Sequence, residues 1–85
     1  MKNFKNKMIR GVVLPLPLIC LYEGRIITRS IKVYEVSLLR SGKPCRVLAK
    51  DVNYPKEQVA PYDFKYLDED SKENILMALK QVENV

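Results

Sequence analysis

The sequence contains no histidine, and acids are almost missing from its first fifty residues. The first absence removes histidine-based triads, imidazole general bases and histidine-ligated zinc or iron. The second is a matter of placement. Residues 1–50 set eleven Lys/Arg against Glu23 and Glu35, a net +9, while residues 51–85 set four Lys against eight acids, a net −4. Together they give the +5 of the whole chain, a basic, partner-binding first part and an acidic second part.

Cysteine and glycine are scarce as well. Cys20 and Cys45 are the two cysteines, and their spacing fits neither a metal motif nor a disulfide scaffold. They read as two buried small apolar side chains, with a single disulfide as the alternative. With three glycines in the chain, Ser41-Gly42-Lys43 lacks the earlier glycine of a phosphate-binding loop and reads as a turn. Asp68-Glu69-Asp70 lacks the glycine and the final glutamate of a calcium loop and reads as a helix start. The chain therefore offers no catalytic, cofactor-binding or metal-binding motif, and a non-enzymatic role is expected.

No apolar run is long enough to span a bilayer. Gly11–Tyr22 follows a basic stretch in the charge order of a secretory signal, but Pro15 and Pro17 interrupt the helix a signal core forms. Tyr22-Glu23-Gly24 also offers no small-x-small cleavage site. The expectation is a cytoplasmic protein without a membrane span. Eighty-five residues, 47% apolar and 29% charged, make one ordinary globular domain. A chain this short buries roughly 60–65% of its unfolded surface, so its core is thin and a homodimer would add apolar burial.

Along the chain, residues 1–8 are polar, basic and aperiodic and read as a flexible arm. Residues 9–66 are β-leaning. Leu14, Leu16, Leu18 and Cys20 share one parity, whereas Pro15 and Pro17 share the other and remove two ladder donors, which places this stretch at a sheet edge. Tyr22-Glu23-Gly24-Arg25 reads as a turn and Arg25–Ser30 as a returning strand. In the hairpin from Ile31 to Val52, Tyr34, Val36 and Leu38 alternate with Val33, Glu35 and Ser37. The second arm alternates Cys45, Val47 and Ala49 with Arg46, Leu48 and Lys50. A four-residue loop closed by Arg40 and Cys45 sets Glu35 opposite Lys50, an attractive pair that a two-residue Ser41-Gly42 loop loses. Asn53-Tyr54-Pro55-Lys56 is turn chemistry, and Tyr62, Phe64 and Tyr66 suggest a short strand lying as a core stripe. A helix over 68–83 follows, with Asp68 as N-cap and Ile75, Leu76, Leu79 and Val82 as its apolar face. The expected fold is α+β: a mostly antiparallel sheet of four to five strands, barrel-like in one variant, with one C-terminal helix.

Two binding readings compete. In the first, a protein partner or a second copy docks through the β-edge and the basic hairpin, with Leu14, Leu16 and Leu18 as the self-association residues. In the alternative, RNA or DNA lies on a basic sheet face. The candidate partner-binding residues are Arg25, Arg29, Arg40, Lys43, Arg46 and Lys50, with Lys32 extending the patch.

Ile26-Ile-Thr-Arg29, the Val33–Val52 hairpin and Val52-Asn-Tyr-Pro-Lys-Glu57 resemble a compressed carbon storage regulator, a family of small dimeric RNA-binding β proteins. The resemblance implies an edge strand whose arginine, Arg29 here, contacts RNA. It covers under half of the chain. The family's Gly-Glu-Ser insert is absent, and Ala60-Pro-Tyr-Asp-Phe64 holds no second arginine.

Overall fold

The computed structural model describes residues 8–83, so the expected arm lies almost wholly outside the described residues. Four strands, β1 (Met8–Glu23), β2 (Thr28–Leu39), β3 (Pro44–Asp51) and β4 (Ala60–Asp63), pair antiparallel in chain order as a meander. A 3-10 turn, Phe64–Tyr66, leads into the helix α1 (Glu69–Glu83). The fold is α+β as expected. The sheet does not close into a barrel; an isolated antiparallel bridge joins Tyr22 of β1 to Leu67, after the 3-10 turn.

Two irregularities set which side chains enter the core. Between the pairs Val13–Glu35 and Leu18–Val33, β1 spends five residues where β2 spends two. Pro15 and Pro17 have no amide to give the ladder, so the chain leaves it where they stand. Leu14 turns into the core, while Leu16 is pushed out to 78% exposure. The expected common face of Leu14, Leu16, Leu18 and Cys20 therefore fails at Leu16. In β2, Tyr34 is an extra residue between the pairs Val33–Ala49 and Glu35–Leu48. Such a bulge resets the two-residue alternation. Ile31 and Val33 before it and Val36 and Leu38 after it are all buried, which corrects the uninterrupted alternation read from the sequence.

The β2–β3 turn is tighter than expected. The Gly42 amide donates to the Leu39 carbonyl and the Leu39 amide to the Lys43 carbonyl, each at 2.8 Å. Gly42 sits at φ 90°, the left-handed position a three-residue hairpin loop requires. Val36 consequently faces Val47, and Glu35 faces Leu48 where Lys50 was expected. Lys32 stands opposite Lys50 instead. At the other end β2 begins at Thr28, later than the sequence suggested, and Ile26 in the connection is 93% exposed. Gly24 is needed there: a Cβ on it would lie 2.7 Å from Cε1 of Tyr22. The Tyr22 ring meets Tyr62 edge-on at 5.0 Å and Tyr66 at 6.1 Å. Tyr62 and Phe64 pack against the core as the stripe reading expected, but the strand ends at Asp63, and Phe64 and Tyr66 fall in the 3-10 turn where a strand was expected.

Asp68 caps α1, its Oδ1 accepting the Ser71 amide at 3.0 Å. Ile75 and Leu79 are buried, with Ala78 and Val82 packed beside them, while Leu76 lies toward solvent at the flank of the expected face. The helix runs antiparallel along β1. The Leu21 amide donates to Ser71 Oγ at 2.9 Å, the Asp68 amide donates to the Leu21 carbonyl at 3.0 Å, and Arg10 pairs with Glu83 at 2.6 Å. One face of the sheet is thus covered by α1. The other is open.

Candidate binding site

The open face can be built row by row, because residues directly opposite in an antiparallel sheet project to the same side. One row crosses Gly11, Ser37, Arg46 and Asp63; the next crosses Val13, Glu35, Leu48 and Pro61; a third crosses Ile19, Lys32 and Lys50. Val13 and Ile19 are 69% and 60% exposed. Lys32 Nζ lies 5.9 Å from the centre of the Tyr34 ring. The Glu35 carboxylate folds over Gly11, into the space a side chain there would occupy.

Of the basic residues singled out in the sequence, Arg46 and Lys50 are on this face. Arg40 and Lys43 flank the β2–β3 turn at one end, and Arg25 sits in the β1–β2 connection at the other. None of these five, nor Lys32, forms an ion pair among the described residues. Arg29 is different. Its Nη1 donates to Oδ2 of the buried Asp51 at 2.8 Å, and Oδ1 of the same carboxylate accepts the Asn53 amide at 2.8 Å. A hollow lined by Ile27, Ser30, Asn53 and Tyr54 surrounds this pair.

A second surface lies on the opposite flank of β1. Pro15, Leu16 and Leu18 face Ala78, Gln81 and Val82 of α1 across an open cleft of about 420 Å³. No lining residue is charged. Leu14, grouped with Leu16 and Leu18 in the sequence, is a core residue beneath it. The helix side of this cleft was not anticipated, although Ala78 and Val82 at i and i+4 on an apolar helix face were a usable signal.

Cys20 and Cys45 are both free thiols. Cys20 is buried, and burial pushes its thiol pKa up, against an opposing hydrogen bond from Ser71 and with a smaller push from the Asp68 charge. Asp68 is held below the ordinary aspartate value by hydrogen bonds from the Ser71 side chain and then its backbone. Among the described residues no three His, Cys, Asp or Glu side chains gather as metal ligands, and no helix is long and apolar enough to cross a membrane. Compared with protein-family models, curated proteins and solved structures, the chain finds no match in any of the three.

Proposed function

We propose that this protein is a small non-enzymatic binding module that associates with a second copy of itself through the β1–α1 cleft. The observation that carries the reading is Leu16, 78% exposed at the rim of an apolar, uncharged cleft that it helps to line. A two-fold dimer needs a surface complementary to itself. Here the protruding side chain and the cleft sit side by side, so each copy can place its Leu16 against the other's Ala78 and Val82. The lack of charge in the cleft lets two molecules of net charge +5 approach there. Contact is through side chains, not through an extended sheet, because prolines remove donors from β1 and the Leu21 amide is already taken by Ser71.

Light scattering over a concentration series, at low and high salt, tests this. The expected result is a dimer fraction that rises with concentration and holds or tightens in salt. Leu16→Asp should give a monomer with an unchanged far-UV spectrum, since the side chain is outside the core. A wild-type monomer at every concentration, or a Leu16→Asp dimer, overturns the proposal.

A further inference from the structure

We infer that the open face of the sheet is a binding surface for single-stranded nucleic acid, with Lys32, Lys50 and Arg46 as its phosphate contacts. The surface is separate from the self-association cleft and does not depend on it.

The first ground is an unbalanced pair. Lys32 and Lys50 are direct cross-strand neighbours on β2 and β3, and neither has a carboxylate partner among the described residues. Like charges placed opposite each other weaken a sheet. An anion lying between them would turn that repulsion into attraction, and a phosphodiester is such an anion.

The second ground is the line of charge. Arg46 stands on the same face of β3 as Lys50, Arg40 and Lys43 lie beyond one end of the hairpin, and Arg25 lies beyond the other. At about 3.3 Å per residue the eight residues of β3 span roughly 26 Å, the reach of several successive phosphates. Glu23, Glu35 and Asp63 share the face or its edge, so the surface is not uniformly basic. On the face itself Lys32, Arg46 and Lys50 balance these three acids, and the excess of positive charge comes from Arg25, Arg40 and Lys43 at its two ends. The acids Glu69, Asp70, Glu73 and Glu83 belong to α1, which covers the other face.

The third ground separates single strands from duplexes and from acidic proteins. Exposed Val13 and Ile19 lie on β1 beside the basic groups of β2 and β3, and Tyr34 stands next to Lys32. Unpaired bases can rest on such apolar and aromatic patches while their phosphates meet the lysines. Duplex bases are already stacked and have no use for them.

Fluorescence anisotropy of the whole protein with a labelled oligothymidylate of about twelve nucleotides tests the inference. Three phosphate contacts give a log–log salt slope near −2, or about a 20-fold loss of affinity between about 50 and 200 mM salt. Lys32→Gln with Lys50→Gln should lower low-salt affinity at least about tenfold and flatten that slope by about 1.4. Both side chains are outside the core, and a circular-dichroism melt confirms the fold. Val13→Ser with Ile19→Ser should weaken single-strand binding. Four results overturn the inference: no binding at about 50 mM salt, undiminished binding by the double lysine variant, duplex DNA of equal length binding as tightly, or polyglutamate competing as well as the oligonucleotide. The last would assign the face to an acidic protein. The Leu16→Asp protein should keep full oligonucleotide affinity per monomer, which separates failure here from failure of the dimer reading.

Discussion

Arg29 and Asp51 form an ion pair anchored inside the protein: the contact is 2.8 Å, and Asp51 retains 3% of its side-chain exposure while Arg29 keeps 36%. The pair joins the start of β2 to the end of β3, next to the register pair Ile31–Asp51. Its position makes Arg29 a structural residue first.

Removing one member of a buried pair leaves the other charge uncompensated, which costs about 3–5 kcal/mol when both are deeply buried. Arg29 is partly exposed, so Arg29→Leu should cost about 2–3 kcal/mol by urea denaturation. Adding Asp51→Asn should recover part of that loss. A change within about 0.5 kcal/mol for Arg29→Leu would show the pair to be ornamental, as many surface pairs are.

Ser71→Ala should destabilise the protein by about 1–2 kcal/mol, the cost of stranding a part-buried donor. The donor is the Leu21 amide, and hydrogen exchange gives the specific readout. Leu21 should exchange faster in the variant than Ile75 does, because the helix core is untouched. Uniform acceleration across both sites would point to a global effect instead.

Acid should expose the Asp68 cap. Its folded-state pKa lies below the ordinary aspartate value of 3.8, so the capped carboxylate favours the fold at higher pH and loses that contribution as pH falls through the lowered value. Asp68→Ser keeps a capping oxygen without the titration. Its stability should fall less steeply than the wild type's below about pH 4. Parallel acid limbs for the two proteins would count against the cap as the cause.

Thiol labelling should distinguish the cysteines. Cys20 is buried and its pKa is raised, so little of it is thiolate near pH 8, and alkylation should wait for unfolding. Mass spectrometry after a short iodoacetamide pulse reads this directly. Rapid native labelling of Cys20 would mean that α1 lifts from β1 more readily than its packing implies.

The elements themselves were legible in the sequence, and their registers were not. Asp68, the acidic first turn and the Ile75–Leu79–Val82 spacing announced α1, since local capping and helical periodicity need no tertiary context. The hairpin was legible from Ser41-Gly42-Lys43-Pro44. Its register was misread because an apparent Glu35–Lys50 attraction favoured the longer loop, whereas Gly42 at positive φ closes a shorter one. The bulge at Tyr34 had no signal of its own. It shows only once Val33 and Val36 are both seen in the core. Pro15 and Pro17 correctly marked an edge, but their geometric effect, driving Leu16 out while Leu14 goes in, depends on β2 spending two residues where β1 spends five. The basic patch was legible as composition. Which arginine would be diverted from it was decided by Asp51, twenty-two residues away in sequence.

Among the described residues, the acids of α1 lie on one side of the sheet and Lys32, Arg46 and Lys50, with basic residues at both ends, on the other. Such a molecule is an electric dipole with a definite axis. In dilute salt it would turn before it touches, presenting β2 and β3 to a negative partner and withdrawing α1 from it. Orientation is then selected during diffusion and not after contact. That raises the fraction of encounters that are productive, and the advantage fades once the screening length drops below about 10 Å.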